Sequence, residues 1–90
     1  MTTTFTTESG STYEVDLAER RYRKVTTSPD SFVPTFPWTK FITLKSRCSV
    51  NEAFEDDDAI TVGRQYRFAT FMDWARTGFV TAVGEVGVAA

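Results

Sequence analysis

Apolar and polar residues alternate with a period of two along much of this chain. Between Ser11 and Asp16, Tyr13 and Val15 fall on one face with the following Leu17, while Thr12, Glu14 and Asp16 fall on the other. That is the pattern of a half-buried strand. Thr2 to Thr7 forms a first strand in the same vocabulary of threonine and aromatic residues. Glu8-Ser9-Gly10-Ser11 reads as the turn between them, and Gly10 is free to take a positive φ there. Asp16-Leu17-Ala18-Glu19 turns the chain again, and Arg20 to Thr26 returns as a strand. A helix over residues 14 to 24 fits only a thin stripe of Val15, Ala18 and Tyr22, has no good cap and is the weaker reading.

Pro29, Pro34 and Pro37 make Thr27 to Pro37 a loop or an edge segment without regular pairing. Trp38 to Lys45 resumes strand character, with Trp38, Ile42 and Leu44 on one parity and Phe41 on the other. Such a strand is buried on both faces or broken by a bulge. Ser49-Val50-Asn51-Glu52 matches a capping box, which predicts one or two helical turns. In Arg64 to Met72 and beyond, Tyr66, Phe68, Met72 and Trp74 share parity against Gln65, Arg67 and Asp73. Asp73 to Gly78 then connects to a closing strand from Phe79 to Val88, with Gly84 and Gly87 as bulge or fraying positions. These segments predict an all-β domain: a small barrel or rolled antiparallel sheet of five to six strands, SH3-like or OB-like, with one short helix. Its expected core is Tyr13, Val15, Trp38, Ile42, Tyr66, Phe68 and Val80.

Ninety residues make one small domain with a thin stability margin. Eight phenylalanines, three tyrosines and two tryptophans are many for this length. They serve either as core bulk or as interface anchors. The net charge of −2 and pI near 5 disfavour a generic nucleic-acid binder. No run approaches the roughly 20 apolar residues that span a bilayer. The N-terminal Met-Thr-Thr-Thr-Phe lacks a leader pattern, so a cytoplasmic protein is expected. With no histidine and only Cys48, zinc sites and Cys-His catalysis are excluded. Gly84-Glu85-Val86-Gly87 is not a phosphate loop. The expectation is a non-enzymatic chain without catalytic residues, metal or cofactor.

Ser9-Gly10-Ser11-Thr12-Tyr13-Glu14-Val15-Asp16, followed by Arg21-Tyr22-Arg23-Lys24-Val25, resembles a set of small accessory proteins of tailed phages infecting actinobacteria. Trp38 and Val62-Gly63 match that layout too, whereas Thr77-Gly78-Phe79-Val80 departs from its closing strand motif. The resemblance implies a viral accessory protein acting on a host component.

Three features are candidate sites. On a strand, Arg21 and Arg23 point one way and Tyr22 and Lys24 the other. Val25 shares the arginines' parity, a conflict that a bulge after Lys24 resolves. The arginines either pair across the hairpin with Glu14 and Asp16 or form a recognition edge for an acidic protein. Phe32, Phe36 and Trp38 beside the prolines either cover the core or form a lip that grips a partner. Glu55-Asp56-Asp57-Asp58 lacks calcium-loop spacing and reads as a solvated loop. The leading expectation is therefore a protein binder that uses Arg21, Arg23, Phe32, Phe36 and Trp38. The alternatives are an OB-like single-strand nucleic-acid binder using Tyr22, Tyr66 and Arg67, and a structural subunit that completes its core by oligomerising.

Overall fold

The computed structural model describes residues 2–27, 29 and 34–86. They form eight strands and no helix: β1 (Thr2–Thr7), β2 (Thr12–Asp16), β3 (Arg21–Thr26), β4 (Phe36–Lys40), β5 (Thr43–Arg47), β6 (Glu55–Asp56), β7 (Gln65–Ala69) and β8 (Trp74–Val86). All belong to one antiparallel sheet in the order β4-β3-β2-β1-β8-β7-β5-β6. The order leaves β4 and β6 as free edges, so the strands do not close into a barrel.

The sheet nevertheless rolls onto itself. Strands β3 and β7 are four places apart, which in a flat sheet would be roughly 19 Å. Yet the Tyr22 ring on β3 stacks on the Phe68 ring of β7, 4.1 Å between centroids. The 13-residue β8 makes this possible: its first half pairs with β7 and its second half with β1. Between the two halves Gly78 lies against β1, where an added Cβ would sit 3.3 Å from Thr7 Cβ. Phe5, Tyr13, Val15, Tyr22, Phe41, Leu44, Tyr66, Phe68 and Val80 fill the space between the two layers. Burying this many rings is the main stabilising term available to so small a domain.

The hairpins follow the expected pattern closely. Gly10 has φ 93° in the first turn. In the second, Asp16 Oδ1 accepts the Glu19 amide at 3.1 Å and Arg20 takes the left-handed φ of 53°. Thr12 pairs with Thr26 and Tyr13 with Lys24, so Val25 is the extra residue of a bulge after Lys24. Beyond it the parity restores itself, with Tyr22 and Lys24 inward and Arg21 and Arg23 half-exposed.

Four expectations need correction. There are eight strands rather than five or six, because Trp38 to Lys45 divides between β5 and the edge strand β4, which already begins at Phe36 in the proline segment, and Glu55–Asp56 adds the short β6. The break at Phe41 and Ile42 reverses the parity: Phe41 is buried, Ile42 is exposed, and Trp38 lies half-exposed on the outer face. The short helix is absent. Glu52 Oε2 does reach back, to the Cys48 amide at 3.3 Å, and Ser49 Oγ accepts the Asn51 amide at 3.2 Å. The chain then leaves the turn because Phe54 is drawn onto Arg47 and Arg67. Finally, Trp74 to Gly78 is not a connection but the first part of β8. The closing strand is described only as far as Val86, and Gly87 and Val88 lie outside the described residues.

Candidate functional site at the hairpin of the seventh and eighth strands

Sequence pattern singled out Arg21 and Arg23, and the structure spends both internally. Arg23 stands directly opposite Glu14 and Arg21 opposite Asp16. Arg23 Nε and Nη2 lie 2.6 Å and 2.5 Å from Glu14 Oε1, and Arg21 Nη2 lies 3.8 Å from Asp16 Oδ2. Both guanidiniums also sit over the Trp38 ring, at 4.7 and 4.8 Å from its centroid. Two cations balanced by two carboxylates project little field toward an acidic partner. Phe36 packs edge-on against Tyr22 at 5.2 Å. Phe32 lies outside the described residues.

Tyr22 and Tyr66, expected on a nucleic-acid platform, are instead in the core. The Tyr66 hydroxyl donates to Ala59 O at 2.8 Å and accepts from the Thr61 amide at 2.7 Å, which anchors the loop before β7. Asp57 anchors the same loop: it accepts a 2.6 Å hydrogen bond from the buried Ser46 hydroxyl and lies 3.5 Å from Arg64 Nε. One carboxylate of the acidic run is thus structural, while Glu55, Asp56 and Asp58 stay in solvent. Among the described residues no cluster of His, Cys, Asp and Glu is arranged to hold a metal ion. No helix among them is long and apolar enough to cross a membrane.

The outlier in surface chemistry is the β7–β8 hairpin. Its two-residue tip is Phe71-Met72, 86% and 87% exposed. Tight turns favour glycine, asparagine or aspartate, so this tip is chemically out of place. The turn is nonetheless well fastened. The Thr70 amide donates to Asp73 O at 2.7 Å, the Thr70 hydroxyl accepts the Asp73 amide at 3.1 Å, and Asp73 Oδ1 accepts the Trp74 amide at 2.7 Å. Trp74, 58% exposed, and Ile42, 59% exposed, extend the apolar surface, since the Ile42 amide binds Ala69 O at 2.7 Å. Beside the tip, a cleft of about 270 Å³ opens between the layers, lined by Tyr22, Phe36, Thr39, Thr70, Asp73, Trp74 and Ala75. Burial pushes the Tyr22 phenol up to about 12, with smaller contributions from Tyr13 and from the Asp73 carboxylate at the cleft.

The sequence pattern missed this hairpin because its turn contains no glycine, asparagine or proline. The available signal was the pair Thr70 and Asp73, whose side chains mimic backbone turn partners. Comparison with protein-family models, curated proteins and solved structures finds no match to this chain.

Proposed function

We propose that this protein is a non-enzymatic binding module that captures a protein partner through the tip of the β7–β8 hairpin. The observation that carries the reading is the exposure of Phe71 and Met72 on a turn that its own hydrogen bonds hold rigid. A turn backbone already held in one geometry loses little further backbone entropy on binding, and with Trp74 behind them the aromatic and the methionine form a compact hot spot. The complementary surface is an apolar recess into which the tip inserts. The resemblance to phage accessory proteins makes a host protein the natural partner and the host cytoplasm its setting.

The test is affinity capture with the wild-type chain and with Phe71→Ser/Met72→Ser, beside thermal melts of both. A stoichiometric partner should be recovered by the wild type and lost, by at least tenfold, in the double variant. The melts should agree within a few degrees, because the altered residues touch solvent. Equal recovery by both proteins would place the contact elsewhere.

A further inference from the structure

On the outer face behind the tip, β5, β7 and β8 align three cations in one row. Lys45 pairs in register with Arg67, and Arg67 with Arg76. Like charges directly opposite each other on neighbouring strands are destabilising, and here two such pairs adjoin. Lys45 has Asp56 at 4.0 Å, itself almost fully in solvent. Among the described residues neither Arg67 nor Arg76 forms an ion pair. Aromatic rings are set into the same face. Phe54 lies under the Arg47 and Arg67 guanidiniums at 4.4 and 5.1 Å, and Trp74 lies 5.8 Å from Arg67.

We propose that this face binds single-stranded nucleic acid; it shares Trp74 with the protein contact at the tip but does not require Phe71 or Met72. The unpaired Arg67 and Arg76 neutralise neighbouring phosphates, and the exposed Trp74 ring offers bases a sequence-tolerant stacking surface. The chain's net charge of −2 does not oppose this, because a ligand meets the local field rather than the total. The acidic segment from Glu55 to Asp58 borders Lys45 on one side, which confines the strand's path to Phe54, Arg67, Arg76 and Trp74. Base-edge recognition has no support here, so the site reads backbone and ring surface without sequence preference.

The experiment titrates the full chain against fluorescein-labelled 15-mer oligothymidylate by anisotropy. Two phosphate contacts predict a loss of affinity of about 7-fold between 50 and 200 mM salt. Arg67→Gln/Arg76→Gln should weaken binding at 50 mM salt at least tenfold and flatten the salt dependence. Its melting temperature should hold or rise as repulsion is relieved. Trp74→Ala should weaken binding about equally at both salts. As a readout that needs no variant, a 5-iodouracil oligonucleotide should photo-crosslink the wild type at peptides containing Phe54 or Trp74. Absence of binding at 50 mM salt, indifference to the double variant, or crosslinks confined to other strands would overturn the proposal. So would polyglutamate displacing the oligonucleotide more effectively than unlabelled oligothymidylate does, which would assign the face to an acidic protein. Phe71→Ser/Met72→Ser should leave oligonucleotide binding intact, which separates this site from the tip.

Discussion

Among single residues, Phe68 carries the heaviest packing role. Its ring is fully buried between the layers, stacked on Tyr22 at 4.1 Å, edge-on to Phe41 at 5.1 Å and facing Phe5 at 6.4 Å. Phe68→Ala removes a β7 ring that meets Tyr22 and Phe5 from the other half of the sheet. It should cost about 3–5 kcal/mol in urea denaturation, a large share of a small domain's stability. A cost below about 1 kcal/mol would mean that the two layers do not depend on this contact. Lys24 shows the opposite economy: a 2% exposed lysine whose Nζ lies 5.6 Å from the Tyr13 ring centroid, with burial pushing its pKa down. Inward parity was legible for both residues, since Lys24 shares its parity with Tyr22 and Phe68 with Tyr66. That an ammonium stem would follow the aromatics inward was not, because charge argues against burial while strand geometry demands it.

At the scale of elements, β8 decides the shape. It serves two partners only because β1 can approach closely at Gly78, where Thr7 Cβ is 3.3 Å and Glu8 Cγ 3.7 Å from where a side chain would begin. Gly78→Val should therefore destabilise the fold by about 1–3 kcal/mol, the usual range for overpacking. The measurement is the urea midpoint of the variant, and an unchanged midpoint would show that β1 can move away freely. The hairpin of β2 and β3 was the most legible element: its turn, its bulge after Lys24 and its pairing of Glu14 with Arg23 all follow from local alternation. The split of β4 from β5 was not. Phe41 turns inward because its amide binds Arg20 O at 2.8 Å and the Arg20 guanidinium lies over its ring at 5.2 Å. Both contacts come from a turn some twenty residues earlier, which no local pattern reveals.

For the molecule as a whole, the tyrosines set the alkaline limit. Tyr13, Tyr22 and Tyr66 all have pKa values raised by burial, Tyr22 to about 12. A phenol held above its unfolded value contributes stability that is fully present below pH ~10 and lost as pH rises through the folded value. Lys24 acts oppositely, since its lowered pKa makes stability rise with pH up to its unfolded value near 10.5. Three phenols outweigh one ammonium, so stability should fall between pH ~10 and ~12. Tyrosinate absorbance near 295 nm and the circular-dichroism signal, followed together through an alkaline titration, check this. Both should change late and in one step. Early titration of all three phenols in a folded protein would contradict the burial on which the roll depends.

The sequence by itself determined the antiparallel all-β class, the first two hairpins, and the inward positions of Tyr13, Val15, Tyr66, Phe68 and Val80. Each of these follows from two-residue alternation and turn chemistry, which act between neighbours in the chain. Only the tertiary structure decided the strand order, the sharing of β8, the open edges β4 and β6, and the juxtaposition of Lys45, Arg67 and Arg76. Those depend on which strands meet, and the two cation pairs join residues 22 and 9 positions apart. Alternation assigns each residue a face of its own strand, but contacts across the roll decide which residues share that face with it.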